Sequence, residues 1–113
     1  MVAPLLLEEK MRKEYDRNTK LTIGTSPVII STEKENNNQT RKSIWIVNKS
    51  TAGQIVTVSI GESAEDGAGI PLYPGGSYGD VESEGYTATQ KQLFAISDVA
   101  GALISIQERG YLE

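Results

Sequence analysis

The sequence predicts an all-β protein: an antiparallel β-sandwich or jelly-roll-like domain preceded by a short N-terminal helical or extended arm. Three observations predict it. From residue 21 onward, short runs alternate apolar and polar side chains, as a sheet with one wet face requires. Turn residues interrupt these runs at spacings of roughly ten residues. No strand-like run alternates with a helical one, so a parallel α/β fold is improbable.

Residues 1–20 form the arm, and they hold most of the helical signal. Pro4 suits a first helical turn, Leu7, Met11 and Tyr15 recur at spacing four, and charged side chains from Glu8 to Arg17 fill the rest of the surface. Acidic residues come early and basic ones late, which complements a helix dipole. A helix of about ten to thirteen residues is marginal alone in water. It needs a surface: it either packs on its own domain or frays, or it docks on a neighbouring subunit, with Leu5, Leu6, Leu7, Met11 and Tyr15 as the expected contacts with that partner.

Residues 21–113 form the β-domain. Leu21 to Ile23 and, after Pro27, Val28 to Thr32 read as an early strand or two. Glu33 to Gln39, with its run of three asparagines, reads as a loop. Ser43 to Asn48 sets Ile44 and Ile46 on one face and Trp45 and Val47 on the other. Gln54 to Ile60 then places Val56, Val58 and Ile60 inward and Thr57 and Ser59 outward. Ile70 to Tyr73 and Ser77 to Val81 flank Pro74-Gly75-Gly76, which reads as a hairpin-like turn. Gln92 to Ser97, a turn at Asp98 to Gly101, and Ala102 to Arg109 complete seven or eight strands.

Composition removes much chemistry. The 113 residues include no histidine and no cysteine. Ser-His and Cys-His nucleophile pairs, imidazole metal sites, zinc fingers and disulfides are therefore excluded. Net charge is −4, which gives no reason to expect nucleic acid or an anionic membrane as partner. The apolar run around Leu5 to Leu7 is far below the roughly 20 residues of a membrane span, and without a basic region before it no signal peptide is expected. Residues 1–40 carry six basic and six acidic side chains and residues 41–113 five and nine, so the net charge belongs to the β-domain. A domain this small gains much from neighbours.

The remaining candidates for chemistry are few. Glu62, Glu65, Asp66, Asp80, Glu82 and Glu84 form a stretch that no Lys or Arg interrupts. Calcium takes such oxygen ligands, but the spacing does not match an EF-hand loop, and a solvated acidic face is the expected reading. Paired carboxylates of a glycosidase need a sugar-holding cleft that a chain this small is poorly placed to build. Pro74-Gly75-Gly76-Ser77 lacks the Gly-Lys-Ser/Thr ending of a phosphate loop. Asn38-Gln39-Thr40 and Asn48-Lys49-Ser50 match the glycosylation sequon by chance. Trp45 and Phe94 read as sheet residues, and Tyr73, Tyr78 and Tyr86 with Trp45 offer a conceivable carbohydrate platform. No cofactor and no small-molecule substrate are expected.

One resemblance covers residues 21–109. The run Arg41-Lys42-Ser43-Ile44-Trp45-Ile46-Val47-Asn48, a strand ending at Gly61, the run Gly69-Ile70-Pro71-Leu72-Tyr73-Pro74-Gly75-Gly76-Ser77-Tyr78, and Ala95-Ile96-Ser97-Asp98 follow one another as in a small β-sandwich module of tailed-bacteriophage virions. Thr25-Ser26-Pro27-Val28-Ile29-Ile30 fits the same pattern. The resemblance implies a non-enzymatic virion protein on the phage head surface, made in the host cytoplasm. It implies capsid decoration or cementing, with a homotrimer docked on the major capsid protein as the expected form. The alternatives are a head-fibre, tail-fibre or neck component and, from another class, a carbohydrate-binding module. The arm lies outside the resemblance; full burial of its five apolar contacts at about 1.5 to 3 kcal/mol each would give a gross gain on the order of 10 kcal/mol, before the cost of ordering.

Overall fold

A computed structural model describes residues 13–112 of the chain. They fold into eight strands: β1 (Lys13–Ile23), β2 (Val28–Ser31), β3 (Gln39–Asn48), β4 (Val56–Ile60), β5 (Ile70–Leu72), β6 (Ser77–Val81), β7 (Leu93–Ser97) and β8 (Ala102–Leu112). A single 3-10 turn, Glu35–Asn37, lies between β2 and β3. Two four-stranded antiparallel sheets form, in the orders β1-β8-β3-β6 and β2-β7-β4-β5. The pairs β1/β8, β2/β7, β3/β6 and β4/β5 show that one long antiparallel ribbon has been rolled up, which is the jelly-roll arrangement of a β-sandwich.

The core follows from the alternation. Ile44 and Ile46 of β3 and Ile104 and Ile106 of β8 point from one sheet toward Val56 and Val58 of β4 and Leu93 and Ala95 of β7 on the other. Ile23, Ile30 and Leu72 close its rim. The facing of Ile44 and Ile46 against Trp45 is as the sequence predicts. Strand β4 departs from its pattern, because Thr57 is buried and Ile60 is exposed. Ser59 Oγ donates 2.8 Å to the Glu62 carbonyl and folds the following loop back, and Ala64 of that loop is buried, so the outward face of β4 is covered as well.

The helical reading of residues 13–20 is corrected. These residues belong to β1, which pairs residue for residue with β8 from Lys13↔Leu112 to Ile23↔Ala102. A spacing of four fits a strand as well as a helix. In β1 the even positions Glu14, Asp16, Asn18, Lys20 and Thr22 are polar and exposed, while Tyr15, Arg17, Thr19 and Leu21 are half-buried and Ile23 is buried. Pairing also satisfies backbone groups of β8 that a separate helix would leave open. The expected boundary after residue 20 therefore falls inside a strand. Leu5, Leu6, Leu7 and Met11 lie outside the described residues.

The turn at Pro74 is corrected too. Strands β5 and β6 belong to different sheets, so Pro74-Gly75-Gly76 carries the chain across the sandwich instead of closing a hairpin. The Gly76 amide donates 2.7 Å to the Tyr73 carbonyl, and the amides of Gly75 and Asn48 bond the carbonyls of Asn48 and Gly76. Buried Asn48 fastens the neighbouring loops, giving its amide hydrogens to the carbonyls of Gln54 and Leu72, each at 2.8 Å.

Candidate functional site

At one end of the sandwich the inward face turns from apolar to charged. The inward series of β8 runs Ala102, Ile104, Ile106 and then Glu108, which is 1% exposed. A lone carboxylate there would be strongly disfavoured. Two bulges bring it partners. In β3 the register passes from Ser43↔Arg109 to Arg41↔Gly110, so Lys42 is the extra residue. Strict alternation from Ile44 would send Lys42 inward; the bulge instead leaves Lys42 outside on Tyr111, 5.4 Å from its ring centre, and turns Arg41 in. In β2 the register passes from Ile29↔Phe94 to Ser31↔Leu93, and Ile30 and Ser31 are both buried.

Glu108 is thereby surrounded. Tyr15 Oη donates 2.7 Å to its Oε2, Lys34 Nζ lies 2.9 Å from the same oxygen, Arg41 Nε lies 3.3 Å from Oε1, and Ser31 Oγ donates to Oε1. Arg17 Nη2 stands 3.8 Å away, on the open side. Arg41 spends its other donors on the carbonyls of Thr89 at 2.6 Å, Lys91 at 3.0 Å and Thr32 at 3.2 Å. It therefore ties the β6–β7 loop to the segment after β2. Among the described residues no buried side-chain nitrogen or oxygen lacks a partner.

The electrostatics follow from these contacts. Burial alone would raise the Glu108 carboxyl, but the hydrogen bonds from Ser31, Lys34 and Tyr15 and the Lys34 charge outweigh it, and its pKa is pushed down to about 2. Burial, then the hydrogen bond to Glu108, pushes the Tyr15 phenol up. Burial pulls the Lys34 ammonium down in spite of the carboxylate beside it.

Tyr15 reaches Glu108 because the position opposite it is glycine. A Cβ on Gly110 would stand 2.2 Å from the Thr40 carbonyl oxygen and 2.7 Å from the Tyr15 ring. A second glycine serves the outer face. Trp45, 47% exposed, lies flat over Gly79 of β6, where a Cβ would meet the indole at 1.9 Å.

The charged cluster opens to the surface through a recess of about 260 Å³ between β1 and β2, edge strands of the two sheets. Tyr15 and Arg17, Ile29 to Thr32, Lys34, Gln39 and Glu108 line it. Of the residues expected to meet a partner, only Tyr15 is described, and its hydroxyl is turned inward to Glu108. The acidic stretch is divided: Glu62, Glu65 and Asp66 lie in the β4–β5 loop, Glu82 and Glu84 follow β6, and Asp80 is buried, accepting from the Tyr86 hydroxyl and, at 2.8 Å, from the Thr89 amide. Among the described residues no group of three or more carboxylates converges as metal ligands would. Trp45 and Tyr78 face opposite sides of the sheet and do not share a platform.

Sequence reasoning passed over Arg41, Lys34 and Glu108. The available signal was a charged residue, Glu108, at a core-phase position of a well-patterned strand.

No protein-family model and no curated protein matches this chain. Solved structures share its fold. A chain from the acidic stable capsid structure of Helicobacter pylori bacteriophage KHP30 superposes with a TM-score of 0.52 at 10% identity, covering 88% of each chain. A chain from the Bacillus endospore appendages that form a family of disulfide-linked pili superposes with a TM-score of 0.52 at 12% identity, covering 91% of this chain and 92% of that one. Such likeness concerns the architecture: this chain is a jelly-roll β-sandwich of a kind found in both assemblies.

Proposed function

We propose that this chain is a non-enzymatic structural protein of a bacteriophage virion, a capsid decoration protein that binds the outside of the head and stabilises the shell. In this reading it is made in the host cytoplasm and assembles as a homotrimer on the major capsid protein. Of the arm expected over residues 1–20, Leu5, Leu6, Leu7 and Met11 supply the apolar contacts in this reading, Tyr15 being turned inward to Glu108. The observation that carries the reading is the fold shared with a chain of a bacteriophage capsid structure over 88% of both chains. The segment resemblance of residues 21–109 points the same way. Symmetric repetition would multiply a modest contact into a stable coat.

Quantitative mass spectrometry of virions of the phage that encodes the chain tests this. Decoration predicts copies on the order of hundreds per particle, as repetition over a shell requires. Absence from the particle would sink the proposal.

The likeness to a spore-appendage chain favours a second reading, a fibre or appendage subunit such as a head-fibre, tail-fibre or neck component. Disulfide linkage is not open to this chain, which has no cysteine. A handful of copies at one vertex or at the neck would select this reading over decoration.

A further inference from the structure

The recess between β1 and β2 carries unbalanced charge. Arg17, Lys34 and Arg41 gather around one carboxylate, Glu108, so three cations face a single anion. The whole chain has the opposite balance, at −4. The side chains of Lys34 and Arg41 are 4% and 0% exposed, so water screens them poorly. Lys34 uses two of its three ammonium donors, on Glu108 and Gln39. Arg17, 36% exposed at the mouth, gives one hydrogen bond among the described residues, to the Ile30 carbonyl. Donors and charge are thus left for an incoming anion, beside the exposed side chain of Ile29.

The chain itself contains a segment with the complementary pattern. In β1 the odd positions Tyr15, Arg17, Thr19 and Leu21 are half-buried while Lys13 is exposed, and in the sequence before Lys13 the same odd phase carries Leu5, Leu7, Glu9 and Met11. The even positions from Glu8 through Thr22 are all polar. Taken as an extended strand, residues 5–11 would present one carboxylate, Glu9, on an otherwise apolar face. A cationic recess flanked by an exposed isoleucine suits that face.

Such a segment cannot easily serve its own recess. From Tyr15, which lines the recess, to Lys13 the strand runs about 7 Å further away from Arg17 and Lys34, at roughly 3.3 Å per residue. To return, Glu9 would need a reversal through Lys10-Met11-Arg12, which contains no Gly, Pro, Asn or Asp.

We propose that the recess between β1 and β2 receives Glu9 from a second copy of the chain, its carboxylate held by Arg17 and Lys34 with Leu7 resting on Ile29. This inference rests on the assembly reading above and names the contact through which copies associate. Arg supplies a planar fork for the carboxylate, and Lys a point charge behind it.

Intermolecular paramagnetic relaxation tests it on the full chain. The absence of cysteine allows a single nitroxide at Lys10→Cys. Mixing this chain, unlabelled with nitrogen-15, with a nitrogen-15 chain lacking the nitroxide reports only contacts between copies. Strong attenuation is expected at the amides of Ser31, Thr32 and Gln39. It should be lost when the nitroxide chain also carries Glu9→Gln, or when the observed chain carries Arg17→Gln. Charge reversal adds a second measurement: Glu9→Lys in one chain and Arg17→Glu in the other should each weaken association at least tenfold with wild type and restore it together. Arg17 is half-buried at the mouth, and matching melting midpoints exclude misfolding as the cause. Association without attenuation at the recess overturns the proposal while leaving assembly standing, and so does attenuation indifferent to Glu9→Gln. A chain that stays monomeric at millimolar concentration also overturns it, while virion copy number independently decides the assembly reading.

Discussion

Arg41 and Glu108 form a buried ion pair, Nε to Oε1 at 3.3 Å, on neighbouring strands, and a one-residue bulge at Lys42 is what lets Arg41 face the carboxylate. The pair links the backbones of three chain segments, because the same guanidinium also holds the carbonyls of Thr32, Thr89 and Lys91. Buried pairs of this kind contribute little net stability compared with an apolar packing, yet are costly to break from one side. Four outcomes follow from the geometry around it.

Glu108→Gln removes the carboxylate that, among the described residues, stands alone among three cations. The expected loss is about 3 to 5 kcal/mol, read from the midpoint of urea unfolding at neutral pH. A loss under about 1 kcal/mol would mean that the cluster is not electrostatically coupled.

Acid should unfold the wild-type chain through the same residue. The Glu108 carboxyl is lowered from 4.5 to about 2 on folding, so its stabilisation is fully present above the unfolded value and is lost as pH falls through the folded one. The difference is worth about 3 kcal/mol. Stability measured from pH 6 down to 2 should fall by roughly that amount from this group, and the Glu108→Gln chain should lack that component.

Tyr15→Phe keeps the ring over Gly110 and deletes one donor to the Glu108 carboxylate. A cost of about 1.5 to 3 kcal/mol is expected for a hydrogen bond to a charged group. The same substitution should leave strand pairing intact, as reported by amide hydrogen exchange in β1 and β8.

The two close-approach glycines should respond differently. At Gly110 the added methyl meets a backbone carbonyl at 2.2 Å as well as the Tyr15 ring, so Gly110→Ala should cost about 3 kcal/mol or more. At Gly79 the nearest atoms it meets belong to the exposed indole of Trp45, which can swing away. Gly79→Ala should therefore cost about 1 kcal/mol and shift the emission of the only tryptophan to longer wavelength.

The fold was legible where period two was uninterrupted. Ile44 and Ile46 separate from Trp45 by position alone, Ala102, Ile104 and Ile106 share one face by the same rule, and residues with turn propensity mark most strand ends. Residues 13–20 were misread because the spacing of four that ends at Tyr15 is a multiple of two as well as nearly one helical turn. The polar even positions from Glu14 to Thr22 were the signal that separates the two.

By itself, then, the sequence determined an all-β sandwich, most of its apolar core positions, and a chemistry without imidazole or thiol. Only the tertiary structure decided that β1 pairs with the far end of the chain, that Pro74 to Gly76 crosses between sheets, and that Arg41, Lys34, Tyr15 and Ser31 converge on Glu108. The reason is physical: alternation is a local property of each strand, whereas the pairing of distant strands and the bulges that shift a side chain from one face to the other depend on which partner lies alongside.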